Sequence, residues 1–189
     1  MSQRMGKDKL LLGYNGTPLL QHSVDLLFEL PVFERIMVTT DARLDDISLP
    51  PDVRVFINSQ PENGLSSSIH IGVEKATGTH YMFLTADQPK LTKMDIMPLL
   101  EAAQNNPDKI IYPVIDSIPC SPTMFPEIFR EELLKLYDLS QNQKNDTGGR
   151  RIRDANKNLN LPIEPANPAN FIDIDNVDEY ENLIKELRS

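Results

Sequence analysis

The sequence contains little cysteine and fewer basic than acidic residues. Its 189 residues include one cysteine, Cys120, which excludes an internal disulfide framework and a cysteine-rich zinc site and is typical of a reducing compartment. Nineteen lysines and arginines stand against 28 aspartates and glutamates, so the formal net charge is −9. This balance argues against broad electrostatic binding to nucleic acid or anionic lipid, but it leaves room for a local basic site for a small anion.

Long hydrophobic runs are also absent. Apolar stretches such as residues 10–12 and 110–115 are far too short to cross a bilayer, and three leucines after the first basic residues do not make a signal peptide. Hydrophobic residues make up 40% of the chain and charged residues 25%, which is typical of a globular protein. We therefore expect a single cytoplasmic domain over residues 1–189, with no membrane or nucleic-acid partner.

Two kinds of apolar segment alternate along the chain. Compact β-rich runs predict strands at residues 35–40, 53–57, 81–86, 110–115, 121–125 and 171–174. Helical spacing of apolar residues predicts helices at residues 18–30, 41–47, 66–76, 92–103, 126–137, 147–155 and 177–187. Thr92 and Asp95 have the spacing of a capping box. The alternation predicts an α/β three-layer sandwich with a mostly parallel sheet.

Asp87 follows an apolar predicted strand, within the segment Ala-Asp-Gln-Pro at 86–89. Ligands of open α/β sheets bind beyond the carboxyl ends of the strands, which is where this carboxylate falls. Because Mg²⁺ favours oxygen ligands and often bridges a carboxylate to a substrate phosphate, Asp87 is a candidate metal ligand. The alternative is a turn or helix-capping aspartate.

Asp173 and Asp175 form a second acidic pair, in the segment Phe-Ile-Asp-Ile-Asp-Asn at 171–176. On a strand, this alternation would turn both carboxylates away from the two isoleucines. One of the pair could be a second metal ligand. The alternative is an N-cap for the helix that begins near Val177.

Three segments carry groups that suit an anion. Residues 63–68, Asn-Gly-Leu-Ser-Ser-Ser, form a glycine turn before a helix, where free backbone N–H groups could bind an anion or the edge of a base. Arg4, Lys7 and Lys9 surround Gly6 and could hold a triphosphate, the alternative being a solvated terminus. Residues 148–153, Gly-Gly-Arg-Arg-Ile-Arg, are an anion contact or a charged helix face.

A covalent nucleophile is not indicated. His22, His70 and His80 have no metal-ligand spacing, and Cys120 has no neighbouring histidine or second cysteine. The motifs GxSxG, Walker A and GxGxxG are all missing. Any transfer reaction would therefore depend on positioning and on charge neutralisation.

Five segments, taken in order, resemble the MobA-like nucleotidyltransferases, and most closely the molybdenum cofactor cytidylyltransferases. They are residues 2–9 (Ser-Gln-Arg-Met-Gly-Lys-Asp-Lys), 16–20 (Gly-Thr-Pro-Leu-Leu), 61–69 (Pro-Glu-Asn-Gly-Leu-Ser-Ser-Ser-Ile), 86–89 and 173–175 (Asp-Ile-Asp). The resemblance runs nearly end to end and implies the Rossmann-like α/β/α sandwich of the nucleotide-diphospho-sugar transferases. In the cytidylyl branch, the segment at 61–69 goes with the use of CTP.

The resemblance also implies roles for the matching positions. The residues that it assigns to the nucleotide are Ser2, Arg4, Gly6, Lys9, Gly64 and Ser66. Arg4 and Lys9 match triphosphate-binding cations, and the Gly64 segment matches the loop that reads cytosine and ribose. The residues that it assigns to Mg²⁺ are Asp87 and Asp175, and the catalytic set that it implies is Arg4, Lys9 and Asp87.

Asp146, Gly148 and Arg150 resemble the family's acceptor-side segment Gly-Asp-x-Gly-Ala-Arg, with Asn145 and Gly149 departing from the pattern. The implied reaction is attack by the terminal phosphate of a molybdopterin-type cofactor on the α-phosphate of CTP. A molybdenum hydroxylase is the implied client of the product. Two alternatives are a related nucleotidyltransferase acting on another small phosphate and a non-catalytic chaperone that binds the molybdenum cofactor.

The family pattern begins with a strand and a Leu-Ala-Ala-Gly phosphate loop, and the first residues of this sequence match positions inside that pattern. On this resemblance we expect a domain truncated at its N-terminus, with an incomplete nucleotide site and weak or no activity.

Overall fold

The computed structural model describes residues 8–140 and 148–187, including every side chain except those of residues 139 and 140. The strands of these residues are β1 (Gly13–Tyr14), β2 (Thr17–Pro18), β3 (Arg35–Thr39), β4 (Val53–Ile57), β5 (His80–Phe83), β6 (Ile110–Ile115), β7 (Ile118–Pro119), β8 (Thr123–Pro126) and β9 (Asn160–Ile163). The α-helices are α1 (Leu19–Glu29), α2 (Leu65–Lys75), α3 (Lys93–Asn105), α4 (Arg130–Ser140), α5 (Arg150–Ala155) and α6 (Val177–Glu186). Short 3-10 helices lie at Lys9–Leu11, Asp41–Asp46, Pro61–Asn63, Glu127–Phe129, Lys157–Leu159 and Pro168–Phe171.

The strands form two main groups. β3 and β4 pair in parallel, with Arg35 opposite Val53, and the larger sheet has the order β5–β8–β6, with β9 parallel to β6. β8 runs antiparallel to both of its neighbours because β6 turns back through Asp116 and Ser117, which both have positive φ. The α/β fold is confirmed, and the sheet is mixed, with both parallel and antiparallel pairs.

Helices cover both faces of these strands and close the core. On one face, α1 and α3 pack over the strands, with Leu26, Leu99 and Ile111 in one buried cluster. On the other face, α2 and α4 pack together, with Val73 and Leu133 in a second cluster. Within the described residues no ladder of hydrogen bonds joins β3 to β5, so contacts through the helices unite the two groups of strands.

The helix predictions hold to within a few residues, and the capping box of Thr92 with Asp95 is confirmed at the start of α3. The first helix begins at Leu19, one residue later than predicted and without a side-chain cap, because residues 17–18 pair with β1. Among the described helices, none has the length and hydropathy that a bilayer crossing requires.

The predicted strand at residues 171–174 is wrong. A 3-10 helix over Pro168–Phe171 precedes this segment, which then buries Phe171 and Ile174, three positions apart, and leaves Ile172 about half exposed. The strands that were not predicted are the two-residue strands β1, β2 and β7 and the longer β9. β9 pairs with β6 and tolerates Pro162 because proline at a sheet edge need not donate a hydrogen bond.

Candidate active site

The ammonium group of Lys9 lies between two carboxylates that are distant in sequence. Its Nζ is 2.8 Å from Asp87 Oδ2 and 2.8 Å from Asp175 Oδ1. The lysine and Asp87 side chains are 14% and 23% exposed, whereas Asp175 is 62% exposed and opens the group to solvent. The fold therefore brings three of the residues predicted from the sequence into one group, which we call the acidic centre together with Asp173.

The segment that carries Lys9 is fixed by its neighbour. Asp8 accepts a hydrogen bond from the backbone N–H of Leu10 at 3.2 Å and pairs with Arg43 Nε at 2.6 Å. Partial burial raises the pKa of Asp8, but the hydrogen bond and charge of Arg43 outweigh it, so the pKa lies below its ordinary value. The pair ties the 3-10 turn of Lys9 to the 3-10 helix that carries Arg43.

Asp87 does not serve as a helix cap. The cap of α3 is Thr92, and the Asp87 carboxylate points instead to Lys9. Its second oxygen, Oδ1, is buried and has no hydrogen-bond partner in the described residues. A buried acceptor without a donor is costly, and a bound cation or ligand would satisfy it. The helix-capping alternative for Asp87 is therefore wrong, although the residue does lie in a turn, and its role as a metal ligand stays a prediction.

The capping alternative also fails for Asp173 and Asp175. The N-cap of α6 is Asn176, which forms a capping box with Glu179. Asp175 lies one position earlier and directs its side chain to Lys9, while the backbone N–H of Ile174 donates to the carbonyl of Asp87 at 2.8 Å. This bond holds the two acidic segments side by side.

Crowding of negative charge marks the acidic centre. Burial is the largest cause that raises the pKa of Asp173, and the negative charges of Asp87 and Asp175 add to it. Together they bring the pKa to about 6, although the residue is exposed on one side. Burial lowers the pKa of Lys9, but the hydrogen bonds to Asp175 and Asp87 outweigh that and raise the pKa above its ordinary value. The charge of Lys9 offsets part of this repulsion.

The donors present fit a hard divalent cation. Asp87 offers a buried oxygen that no described residue pairs with, and Asp175 offers a carboxylate on the solvent side. In residues 8–140 and 148–187, no three acidic, histidine or cysteine side chains converge as a complete metal cage. Mg²⁺ is commonly held by one or two carboxylates, with water and substrate phosphates as its other ligands, so two carboxylates suffice.

A separate loop contains Gly64 and the serines that follow. Gly64 has φ 83° and ψ −169°, a conformation that essentially only glycine adopts. Ser67 Oγ donates to the Gly64 carbonyl at 2.7 Å, and Asn58 Nδ2 donates to Ser67 Oγ at 2.8 Å and to Ser68 Oγ at 3.0 Å. Ser66, which was predicted to contact the nucleotide, is buried, with 2% of its surface exposed. The loop is thus held rigid by its own hydrogen bonds.

The acceptor-side segment approaches the start of α2. Gly148 is buried with φ 52°, and a Cβ there would lie 3.0 Å from the Leu65 side chain. A Cβ on Gly149 would lie 2.8 Å from the ring of Phe125, which explains why alanine, usual in the family pattern, does not fit here. Arg150 is exposed at the first position of α5. The Gly64 loop and the described part of the predicted acceptor-side segment are therefore neighbours.

Several predicted site residues lie outside the described part of the chain. These are Ser2, Arg4, Gly6 and Asp146. Their assignment to the nucleotide and the acceptor stays a prediction.

Sequence reasoning gave no role to two groups that the structure brings to the acidic centre. Gln88 was quoted only as part of a motif, yet it is 2% exposed and hydrogen-bonds to two other segments. Arg43 orients Asp8 from 35 positions away, which no local pattern predicts. The one signal in the sequence was that a glutamine directly follows the catalytic candidate Asp87.

The sequence profile of the MobA-like NTP transferase domain matches residues 1–159. The chain belongs to this family. A curated relative of the MobA-like domain, named "Probable molybdenum cofactor guanylyltransferase" in Rhodopirellula baltica (strain DSM 10527 / NCIMB 13988 / SH1), is 31% identical over 116 residues, covering 58% of this chain and 54% of the relative. The chain thus matches about half of that relative's length.

Solved structures show the same fold as this MobA-like domain. The protein Rv0371c of Mycobacterium tuberculosis H37Rv superposes with a TM-score of 0.76 at 18% identity, covering 97% of this chain and 92% of that one. Its complex with manganese gives a TM-score of 0.74 at 16% identity, with coverages of 97% and 94%. The 2-C-methyl-D-erythritol 4-phosphate cytidylyltransferase of Thermus thermophilus gives 0.69 at 14% identity, with coverages of 98% and 96%. The predicted nucleotide-diphospho-sugar transferase fold is confirmed.

Proposed function

We propose that the chain is a divalent-cation-dependent nucleotidyltransferase that transfers CMP from CTP to the terminal phosphate of a molybdopterin-type cofactor. An oxygen of the acceptor phosphate forms a bond to the α-phosphorus, the bond from that phosphorus to the bridging oxygen breaks, and pyrophosphate leaves with the electron pair. Family membership supports nucleotidyl transfer, and the name of the curated relative supports an acceptor in molybdenum cofactor biosynthesis.

The observation that carries the proposal is the convergence of Lys9, Asp87 and Asp175 at 2.8 Å contacts. Asp87 and Asp175 would hold Mg²⁺, which when bound neutralises charge on the nucleotide phosphates. The manganese complex of the mycobacterial protein with this fold supports a divalent cation. Lys9, kept protonated by its two carboxylates, would donate hydrogen bonds to the phosphates of the leaving pyrophosphate.

The choice of base has two candidates. The segment at 61–69 resembles the cytidylyl branch, and one structural neighbour is named as a cytidylyltransferase. The curated relative is named as a guanylyltransferase, which favours GTP as the second candidate. In both cases the rigid loop at Gly64 would present its backbone groups to the base, because a fixed conformation discriminates better than a mobile one.

The experiment measures binding and transfer separately. Calorimetric titration of the protein with CTP, GTP, ATP and UTP in Mg²⁺ tests nucleotide choice, and α-phosphate-labelled nucleotide with molybdopterin tests transfer. CTP is expected to bind most tightly, and label is expected to move to the acceptor with release of pyrophosphate at the weak rate that the resemblance implies for this chain. Preference for GTP would replace the cytidylyl assignment by the guanylyl one.

The two alternatives from the sequence give different results in the same assays. Transfer of label to another small phosphate but not to molybdopterin would indicate a related nucleotidyltransferase. Binding of molybdopterin with no binding of any nucleotide would indicate a non-catalytic chaperone and would overturn the proposal.

A further inference from the structure

A buried glutamine joins three chain segments next to the acidic centre. Gln88 follows Asp87 directly and is 2% exposed. Its Nε2 donates to the carbonyls of Phe171 at 3.0 Å and of Ser121 at 3.3 Å, and its Oε1 accepts from Thr85 Oγ1 at 3.4 Å. Both amide hydrogens and the carbonyl oxygen are therefore used inside the protein.

The contacts of Gln88 connect the loop that carries Asp87 to the segment that leads to Asp175. Thr85 and Asp87 lie on the loop after β5, while Phe171 ends the 3-10 helix two positions before Asp173. A second tie runs in parallel, because the Ile174 N–H donates to the Asp87 carbonyl at 2.8 Å. Without the glutamine, this single backbone bond would be the remaining direct tie among those described between the loop of Asp87 and the segment of Asp175.

We propose that Gln88 is a positioning residue that holds the Asp87 loop against the Phe171–Asp175 segment and so sets the spacing of the Asp87 and Asp175 carboxylates for the divalent cation. This inference rests on the proposed metal-dependent transfer. Removing a group that orients metal ligands from behind commonly lowers metal affinity by roughly 10- to 100-fold. Hydrogen bonds to two backbone carbonyls hold a loop in one position, because any movement that breaks them leaves a buried carbonyl unpaired, which is costly.

The test compares Gln88→Met with Gln21→Met. Gln21 is a matched control, since it is also buried and its amide bonds to Asp25 at 2.7 Å and to Ser48 O at 3.0 Å, on a helix that carries no carboxylate of the acidic centre. Both changes remove one buried amide of the same length. Comparable losses of thermal stability are expected, so stability alone does not separate them.

Two readouts separate positioning from stability. The first is Mn²⁺ affinity measured by electron paramagnetic resonance, where Gln88→Met is expected to raise the dissociation constant about 10-fold or more and Gln21→Met less than about twofold. The second is hydrogen exchange of the Ile174 amide in metal-free protein, corrected for global stability. Its protection is expected to fall in Gln88→Met and to stay unchanged in Gln21→Met.

The outcomes distinguish this inference from the proposed function. Wild-type protein that binds no Mn²⁺ contradicts the proposed metal site, and the Ile174 amide then still decides whether Gln88 fixes the two segments. Unchanged Mn²⁺ affinity in Gln88→Met, unchanged protection of Ile174, or equal effects in the two variants would overturn the positioning role.

Discussion

The acidic centre and the Gly64 loop differ in how their polar groups are satisfied. In the loop, Ser67 and Asn58 complete one another's hydrogen bonds and the Gly64 carbonyl has its donor. In the acidic centre, three carboxylates share one ammonium group, and Asp87 Oδ1 is buried with no described partner. The loop is complete without a ligand, whereas the acidic centre has more negative than positive charge among the described residues.

This difference indicates how the two regions would work. A loop satisfied by its own bonds loses little entropy when a nucleotide binds, so it is suited to presenting backbone groups to a base. A cluster of like charges is destabilising in the absence of a ligand and gains when a cation enters. We expect changes in the acidic centre to affect chemistry, and changes in the loop to affect stability and nucleotide affinity.

The largest effect is expected for Asp87→Asn. It removes one charge from the acidic centre and weakens the proposed metal site, so the transfer rate should fall on the order of 100-fold or more with little loss of stability. The control is Asp178→Asn, an exposed aspartate in the first turn of α6. Steady-state rates of pyrophosphate release measure both variants. Equal rates for Asp87→Asn and wild type would contradict a role of the acidic centre in the chemistry.

Gly64→Ala should cost stability in the loop. A methyl group at φ 83° and ψ −169° is strained by about 1–3 kcal/mol, and the backbone groups offered to the nucleotide would shift. Gly78→Ala is the control, because a Cβ there would meet the carbonyl oxygen of His80 only at an ordinary 3.6 Å. Urea unfolding and CTP titration measure the two effects. Wild-type stability and CTP affinity in Gly64→Ala would show that the loop conformation is not fixed.

Ser67→Ala should destabilise the loop by about 1–2 kcal/mol. It leaves the Gly64 carbonyl without this donor and takes one of two acceptors from Asn58 Nδ2. Ser59→Ala changes an exposed serine of the same loop and should be neutral within experimental error. Mn²⁺ affinity should stay at the wild-type level in both variants, which distinguishes the loop from the acidic centre.

The smallest effect concerns the pH dependence of Asp173. Its pKa is about 6 in the folded protein and near 3.8 in the unfolded chain, so the folded state binds a proton more tightly. In metal-free protein, this group's contribution to stability is therefore largest below pH 4 and falls as pH rises to 6. Asp173→Asn should flatten this change and raise stability at pH 7 by no more than about 1 kcal/mol, because solvent screens the exposed side. Greater loss of stability at pH 7 than at pH 4 on making Asp173→Asn would contradict this sign.

Local patterns in the sequence predicted most of the fold. Helical spacing located α1 to α4 and α6, and β-rich runs located β3, β4 and β6, because each depends on neighbours within a few residues. The prediction at residues 171–174 was wrong because the apolar residues there do not lie on one face of a strand. Phe171 and Ile174 are buried three positions apart, and the Ile174 N–H bonds to the carbonyl of Asp87. β9 was missed because a four-residue run with an internal proline carries little signal.

The sequence predicted individual residues of the candidate site but not the contacts between them. Asp87 and Asp175 were assigned by resemblance, yet Lys9 lies 78 positions from one and 166 from the other, and no local pattern shows that its ammonium group bridges them. Only the structure shows that Asn176 caps α6, so that Asp175 is not used as the cap. Long-range contacts of this kind depend on tertiary packing, which periodicity does not encode.

Binding of Mn²⁺ to wild-type protein, to Asp87→Asn and to Ser67→Ala, with and without CTP, tests the central claim most directly. Electron paramagnetic resonance reports bound metal without requiring turnover. We expect wild type to bind one Mn²⁺ ion, with higher affinity when CTP is present. Asp87→Asn should lower the Mn²⁺ affinity at least about 10-fold, and Ser67→Ala should leave it unchanged. Equal Mn²⁺ affinity in wild type and Asp87→Asn, or no binding in wild type even with CTP, would contradict it.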